Sequence, residues 1–183
     1  MRLIVCPLAT LTETVAATRP SHVVSLLAPG QDAVVPEATR WLALRFHDIA
    51  APQEALSAPS DAIIADLLDF GAGWDGAAPL LVHCWFGISR SPAAALILLC
   101  HRHPHVPEME VARALRRVMP FATPNRLMVA LADKRLGRDG RMVDAAAAIG
   151  RGDGLFVGSH VELAVPASRQ GRGEPCPLGL AAG

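Results

Sequence analysis

Between Pro79 and Arg102 the chain changes character twice within a few residues, and that change limits what it can fold into. Pro79-Leu80-Leu81-Val82 is a short apolar run of buried-strand type. Pro92-Ala93-Ala94-Ala95-Leu96-Ile97-Leu98-Leu99-Cys100 is a longer apolar run that reads as a helix. Between them lies only His83-Cys84-Trp85-Phe86-Gly87-Ile88-Ser89-Arg90-Ser91. A strand that feeds a helix through so tight a loop belongs to an α/β layer arrangement. It also brings backbone N–H groups and a helix N-terminus to one point, which suits an anion.

The residues at that point suit one kind of chemistry. A free cysteine is weakly ionised near neutral pH, but N–H donors and a neighbouring guanidinium favour its thiolate. Cys84 so placed is a nucleophile, and Arg90 offers a planar fork matched to two oxygens of a phosphate or sulfate. Attack on the centre of a held tetrahedral oxyanion would give a covalent thiophosphate. Gly87 lets the loop curl close to the ligand. Ser91 is positioned to donate a hydrogen bond to the Cys84 sulfur and ease its departure. His83 reads as a brace for the loop. Taken singly, Cys84 would pass for a small buried hydrophobe and Arg90 for a solvated helix-start residue. Their joint placement, with Gly inside and Ser after, does not fit that reading. The four cysteines, Cys6, Cys84, Cys100 and Cys176, contain no closely spaced pair, so no metal is expected on them; no cofactor is expected either.

HCWFGISRS matches the His-Cys-x₅-Arg-Ser signature of the cysteine-dependent protein-tyrosine phosphatase superfamily. It most resembles the compact dual-specificity-like branch, including its small bacterial members. The low-molecular-weight branch carries the loop near its N-terminus, unlike the mid-chain position here. Two further segments follow the family order. His22 to Leu27 is similar to the strand entering its sheet, and Pro124-Asn125 resembles the start of its terminal helix. The resemblance spans Leu3 to Leu136. It implies a short central, mostly parallel sheet flanked by helices, a phosphate-binding loop of Trp85, Phe86, Gly87, Ile88, Ser89 and Arg90, and a cysteinyl-phosphate intermediate. Phe86 departs from the pattern, since the family usually has a small residue there. The bulky ring bears on substrate range more than on chemistry.

Phosphoryl transfer to sulfur leaves an oxyanion that needs a proton, so a carboxyl group must reach it. Asp48 is the best placed of the upstream acids. It follows the strand-like Trp41–His47 and opens the loop Ile49-Ala50-Ala51-Pro52, and functional loops gather at strand carboxyl ends. It precedes Cys84 by 36 residues, which fits the family's spacing. Asp75, in a Gly-rich turn, is the runner-up. Asp66 and Asp69 fall on the solvated face of a helix read over Ser60 to Phe70. His47 would support the loop.

The rest of the chain is less specific. Its 183 residues fit one catalytic domain over residues 1–167, followed by a Gly-, Pro- and Arg-rich tail, 168–183, read as disordered. Lys+Arg and Asp+Glu both number 17, with no basic stripe, so nucleic acid is not an expected partner. No apolar run has transmembrane length and Met1 to Pro7 lacks a signal-peptide pattern, so no membrane partner is expected and the cytoplasm is the expected compartment. The oligomeric state is not specified. Strands are expected at Leu3–Cys6, His22–Leu27, Leu42–Phe46 and Leu80–His83. Helices are expected at Leu11–Thr18 (capped by Thr10 or Thr12), Ser60–Phe70, Ser91–His101, Pro107–Val118 and Pro124–Leu136. The alanine-rich Ala145–Ala148 fits a helix, while Leu155–Val157 and Val161–Val165 fit strands or packed loop. Cys100 reads as core, with redox pairing to Cys84 a minor alternative for it and for Cys6.

The expected function is hydrolysis of phosphate monoesters. The loop's five intervening residues include no cation, and Trp85 and Phe86 are apolar and flat, which leans toward phosphotyrosine in proteins over inositol phosphates. Two rivals share the scaffold logic. A rhodanese-like sulfurtransferase also cradles an anion around a cysteine but needs no general acid. A catalytically silent phospho-binding domain would be expected to have lost Cys84, Arg90 or Ser91.

Overall fold

In a computed structural model, residues 1–36, 39–154 and 157–163 are described. Glu37, Leu155, Phe156 and the tail, with Cys176, fall outside them. Four strands run parallel: β1 (Leu3–Pro7), β2 (His22–Leu27), β3 (Arg40–Arg45) and β4 (Leu80–Cys84). A fifth, β5 (Val161–Leu163), pairs antiparallel with β1, giving the order β3-β2-β4-β1-β5. The helices are α1 (Leu11–Thr18), α2 (Asp61–Ala72), α3 (Arg90–Arg102), α4 (Glu108–Val118), α5 (Arg126–Arg135) and α6 (Arg141–Ile149). This is the α/β arrangement expected from the sequence.

Side-chain alternation sends the sheet's apolar residues to two layers. Leu3, Val5, Val24, Leu26, Leu80, Val82 and Cys84 face the large core beneath the later helices. Ile4, Cys6, Val23 and Leu81 face a smaller cluster closed by Leu11 and Val15 of α1. Helix α3 is central, with every residue from Arg90 to Cys100 buried. Its small Ala93-Ala94-Ala95 run lets it lie close against β4 and β1. Burial on that scale is what holds an α3 of modest length in place, because helix stability in proteins comes mainly from packing.

Several boundaries depart from the sequence expectation. β3 begins at Arg40 and not Leu42, because the exposed edge residues Arg40 and Trp41 already pair with His22 and Val23 of β2. Phe46 lies past the strand end but is fully buried, and its N–H donates to the Leu27 carbonyl at 2.9 Å. Thr10 occupies the N-cap position of α1, yet its hydroxyl donates to the Pro7 carbonyl at 3.4 Å and caps nothing. Ser60 does cap α2, accepting from the Ile63 N–H at 3.3 Å. Val161–Leu163 closes the sheet edge, and Arg2 and Glu162 tie β5 to β1 through two hydrogen bonds of 2.7 and 2.8 Å.

Candidate active site

Residues 84–90 leave β4 at its carboxyl end and enter α3 at its N-terminus. Gly87 has φ +73°, and a Cβ there would meet the Pro7 nitrogen at 3.1 Å and the Cys6 carbonyl carbon at 3.3 Å. Only glycine satisfies both the left-handed turn and this approach to the end of β1. The loop's carbonyls are tied outward. Trp85 O accepts from Leu8 N (3.2 Å), Phe86 O from Gly158 N (2.7 Å), Ile88 O from Thr123 N (2.8 Å) and Ser89 O from Asn125 N (3.3 Å). Each trans peptide then turns the following N–H the opposite way, into the loop: those of Phe86, Gly87, Ser89 and Arg90. The Gly87 N–H indeed reaches the Cys84 sulfur at 3.2 Å. Ser91 Oγ lies 3.2 Å from the same sulfur. Such a concave ring of N–H groups is an anion cradle.

Arg90 is buried beside it, 5% exposed. Its Nη1 donates to the Phe46 carbonyl at 3.0 Å, and its guanidinium carbon sits 5.9 Å from the centre of the Phe46 ring. Its Nε is buried with no hydrogen-bond partner. An unsatisfied buried donor on a cation is costly unless something occupies it. An oxyanion in the cradle would do so.

Asp48 reaches this loop from the strand end after β3. Its Oδ2 lies 4.0 Å from Arg90 Nε. Its Oδ1 accepts from Ser89 Oγ at 2.8 Å and from Asn125 Nδ2 at 2.7 Å. Asn125 Nδ2 also donates to the Ile49 carbonyl at 3.1 Å, while Asn125 Oδ1 accepts from the Met128 N–H at 3.0 Å and caps α5. One buried amide thus links α5 to the Asp48 loop. That role was not visible in the sequence, where Pro124-Asn125 signalled only a helix start. His47 holds the same loop from behind: its Nδ1 accepts from the Ser57 N–H at 3.0 Å. The structure therefore brings together Cys84, Arg90, Ser91, Ser89 and Asp48.

Asp75 is not among them. It precedes β4, at the opposite end of the strand from Cys84, and its Oδ1 accepts from the Ala77 N–H at 2.9 Å in a local turn. Asp66 and Asp69 are exposed on α2. His83 points away from Cys84, into the α1 layer. Its Nε2 bonds Ser25 Oγ at 2.6 Å, and that hydroxyl accepts from Trp41 Nε1 at 2.8 Å. Burial pushes the ring pKa down to about 4, against an opposing pull from the Cys84 backbone, so the ring is neutral near pH 7. It braces β4 against β2 and β3. Trp85 and Phe86 stand exposed at 41% and 50%, edge to face with ring centres 6.4 Å apart. Cys6 and Cys100 are buried, and burial raises both thiols to about 12. Among the described residues no group of three or more His, Cys, Asp or Glu side chains could hold a metal ion. Nor is any helix there long and apolar enough to cross a membrane.

No family model matches the sequence, and no curated protein matches it. Solved structures do. The chain is similar to human DUSP28 (20% identity, TM-score 0.55, covering 72% of this chain and 86% of that one). It is similar to the Yvh1 phosphatase domain from Chaetomium thermophilum (20% identity, TM-score 0.54, 76% and 93%). It is also similar to PTPMT1 in complex with PI(5)P (12% identity, TM-score 0.56, 80% and 91%). At these identities the likeness is one of fold, and the chain has the α/β architecture of the protein-tyrosine-phosphatase-like proteins.

Proposed function

We propose that this chain is a phosphomonoester hydrolase of the compact dual-specificity-like kind, akin to the small bacterial members, acting most readily on protein phosphotyrosine. The observation that carries the reading is the buried Arg90 guanidinium, with its unpartnered Nε, beside a sulfur that already receives a backbone N–H. The ester phosphate sits in the loop with oxygens on the inward N–H groups and on Arg90. The Cys84 thiolate attacks phosphorus, and the P–O bond to the leaving group breaks. Asp48, protonated, gives its proton to the departing oxygen. In the second step Asp48 takes a proton from water, whose oxygen attacks phosphorus. The P–S bond breaks, phosphate leaves, and Ser91 Oγ–H stabilises the sulfur. Arg90 grips the equatorial oxygens best in the transition state, which is where binding accelerates a reaction.

Residues 1–167 would act as one catalytic unit, in a reducing compartment such as the cytoplasm that keeps Cys84 free. The exposed Trp85 and Phe86 rings support an aryl substrate at the rim. Asp48 and Ser91 beside the loop support hydrolysis over the sulfurtransferase reading, which has no use for a general acid. The test is direct capture of the intermediate. With p-nitrophenyl phosphate, Asp48→Asn forms the cysteinyl phosphate quickly and lacks the base to hydrolyse it. Mass spectrometry after an acid quench should find one phosphoryl group on the peptide containing Cys84, and none in Cys84→Ser. Aryl phosphate turnover surviving in Cys84→Ser would overturn the mechanism, as would sulfur transfer from thiosulfate without phosphatase activity.

A further inference from the structure

A cleft of about 430 Å³ adjoins the loop at Asp48 and Ser89, its wall completed by Thr123, Asn125, Arg126 and Arg151. Its charge is lopsided. The chain as a whole is neutral, yet two arginines face this one space, and among the described residues neither forms an ion pair. The single carboxylate in the wall, Asp48, is already occupied by Ser89 and Asn125.

The placement of each arginine adds to this. Arg126 is the first residue of α5, and the first turn of that helix carries no acid. A helix N-terminus is its positive end, where acidic side chains stabilise and basic ones do not. Arg126 is thus set against the local preference, and helix end and guanidinium present the same sign to the cleft. Arg151 comes from the segment after α6, beyond the stretch that resembles the phosphatase family, and its backbone is fixed on both sides. Before it, Arg116 Nη2 donates to the Ile149 and Gly150 carbonyls at 3.0 and 2.9 Å. After it, the Gly152 N–H donates to Thr123 Oγ1 at 3.0 Å and the Asp153 N–H to the Pro120 carbonyl at 3.0 Å. A free guanidinium on an anchored segment is pre-organised for a ligand.

We propose that Arg126 and Arg151 form a second anion subsite, which selects phosphopeptides carrying a carboxylate or a second phosphate close to the residue being dephosphorylated. The proposal rests on the phosphatase reading of Cys84. It also explains how a loop with no internal cation serves an anionic substrate: the rim supplies the charge. Arginine suits both groups because its fork pairs with two oxygens.

The test uses phosphotyrosine peptides identical except for neighbours that are neutral, glutamate or phosphoserine, placed on either side. For each, kcat/KM is divided by that for p-nitrophenyl phosphate, in wild type and in the R126A/R151A double variant. Wild type should prefer the acidic peptides about tenfold at low salt, roughly what two partly exposed charge pairs provide. The preference should fall to about one in the double variant and shrink as salt screens it. Wild type that hydrolyses every ester with no flank preference overturns the subsite and leaves the phosphatase reading standing. Wild type that hydrolyses none overturns the phosphatase reading itself. A flank preference unchanged in the double variant overturns the residue assignment. Inositol polyphosphates showing the arginine dependence, with none in peptides, would overturn the choice of peptides as substrates.

Discussion

Asn125 offers the sharpest test of how Asp48 is held. Its side chain makes three hydrogen bonds: to Asp48 Oδ1 at 2.7 Å, to the Ile49 carbonyl at 3.1 Å and from the Met128 N–H at 3.0 Å. Asn125→Ala removes all three. Loss of the α5 cap costs about 1 kcal/mol, and loss of a bond to a charged group about 1.5–3 kcal/mol, discounted here because Asp48 is partly exposed. A sum near 3 kcal/mol, at ~2–4 °C per kcal/mol for a domain this size, lowers Tm by about 10 °C. Asn125→Asp separates the two roles. Its carboxylate can still accept the Met128 N–H, and it suits the helix N-terminus, but it now faces Asp48 and the Ile49 carbonyl with no donor. Its Tm should fall less. Its turnover of phenyl phosphate, a poor leaving group, should drop about tenfold relative to p-nitrophenyl phosphate, a fraction of the ~10²–10⁴ that general acid catalysis contributes. Calorimetry and steady-state kinetics on both esters give the two readouts. If Asn125→Asp leaves the ratio of the two esters at the wild-type value, Asn125 is only a helix cap and the positioning argument fails.

Asp48→Asn should slow phenyl phosphate far more than p-nitrophenyl phosphate, while Asp75→Asn leaves both unaffected; equal losses on both esters in Asp48→Asn would remove it from the acid role. Arg90→Lys keeps the charge but not the fork, so kcat should fall at least about a hundredfold; a change in KM alone would show that Arg90 only binds the ground state. His83 is neutral in the fold, with its pKa lowered from 6.5 to about 4 by burial. Between those values the unfolded chain binds more protons than the folded one, so stability is lost as pH falls through that window, by about 3 kcal/mol in all. Urea unfolding across pH should show that loss in wild type and a flatter curve in His83→Gln; parallel curves would refute it.

The loop after β4 was legible because its geometry is local: cysteine, glycine and guanidinium lie within seven residues, between a strand-like and a helix-like run. The approach of Asp48 to this loop was legible by its position after a strand. β2 was read to the residue because all six of its side chains are buried. What was hidden depends on distant pairing. Asn125 meets Asp48 across 77 positions, and Gly158 meets Phe86 after the chain has left the family-like stretch. Neither leaves a pattern in composition or spacing. The first residue of β3 was missed for another reason: an edge strand's backbone pairing places no demand on the hydrophobicity of Arg40.

The alternation along β1 and β4 has a consequence for oxidative damage. Pro7 stands opposite Cys84 in the ladder, and Cys6 opposite His83. Cys6 therefore projects into the α1 layer while Cys84 projects toward α3. Two cysteines whose Cβ vectors point apart cannot be bridged without moving backbone, and here that backbone is the middle of the sheet. Cys100 is no better placed, ten residues along α3 from its first residue and buried in the core. Once peroxide converts Cys84 to a sulfenic acid, no thiol among the described residues stands ready to condense with it. Neither Cys6 nor Cys100 then competes with an external thiol such as glutathione, whose capture of the sulfenic acid would forestall irreversible oxidation to the sulfinic acid.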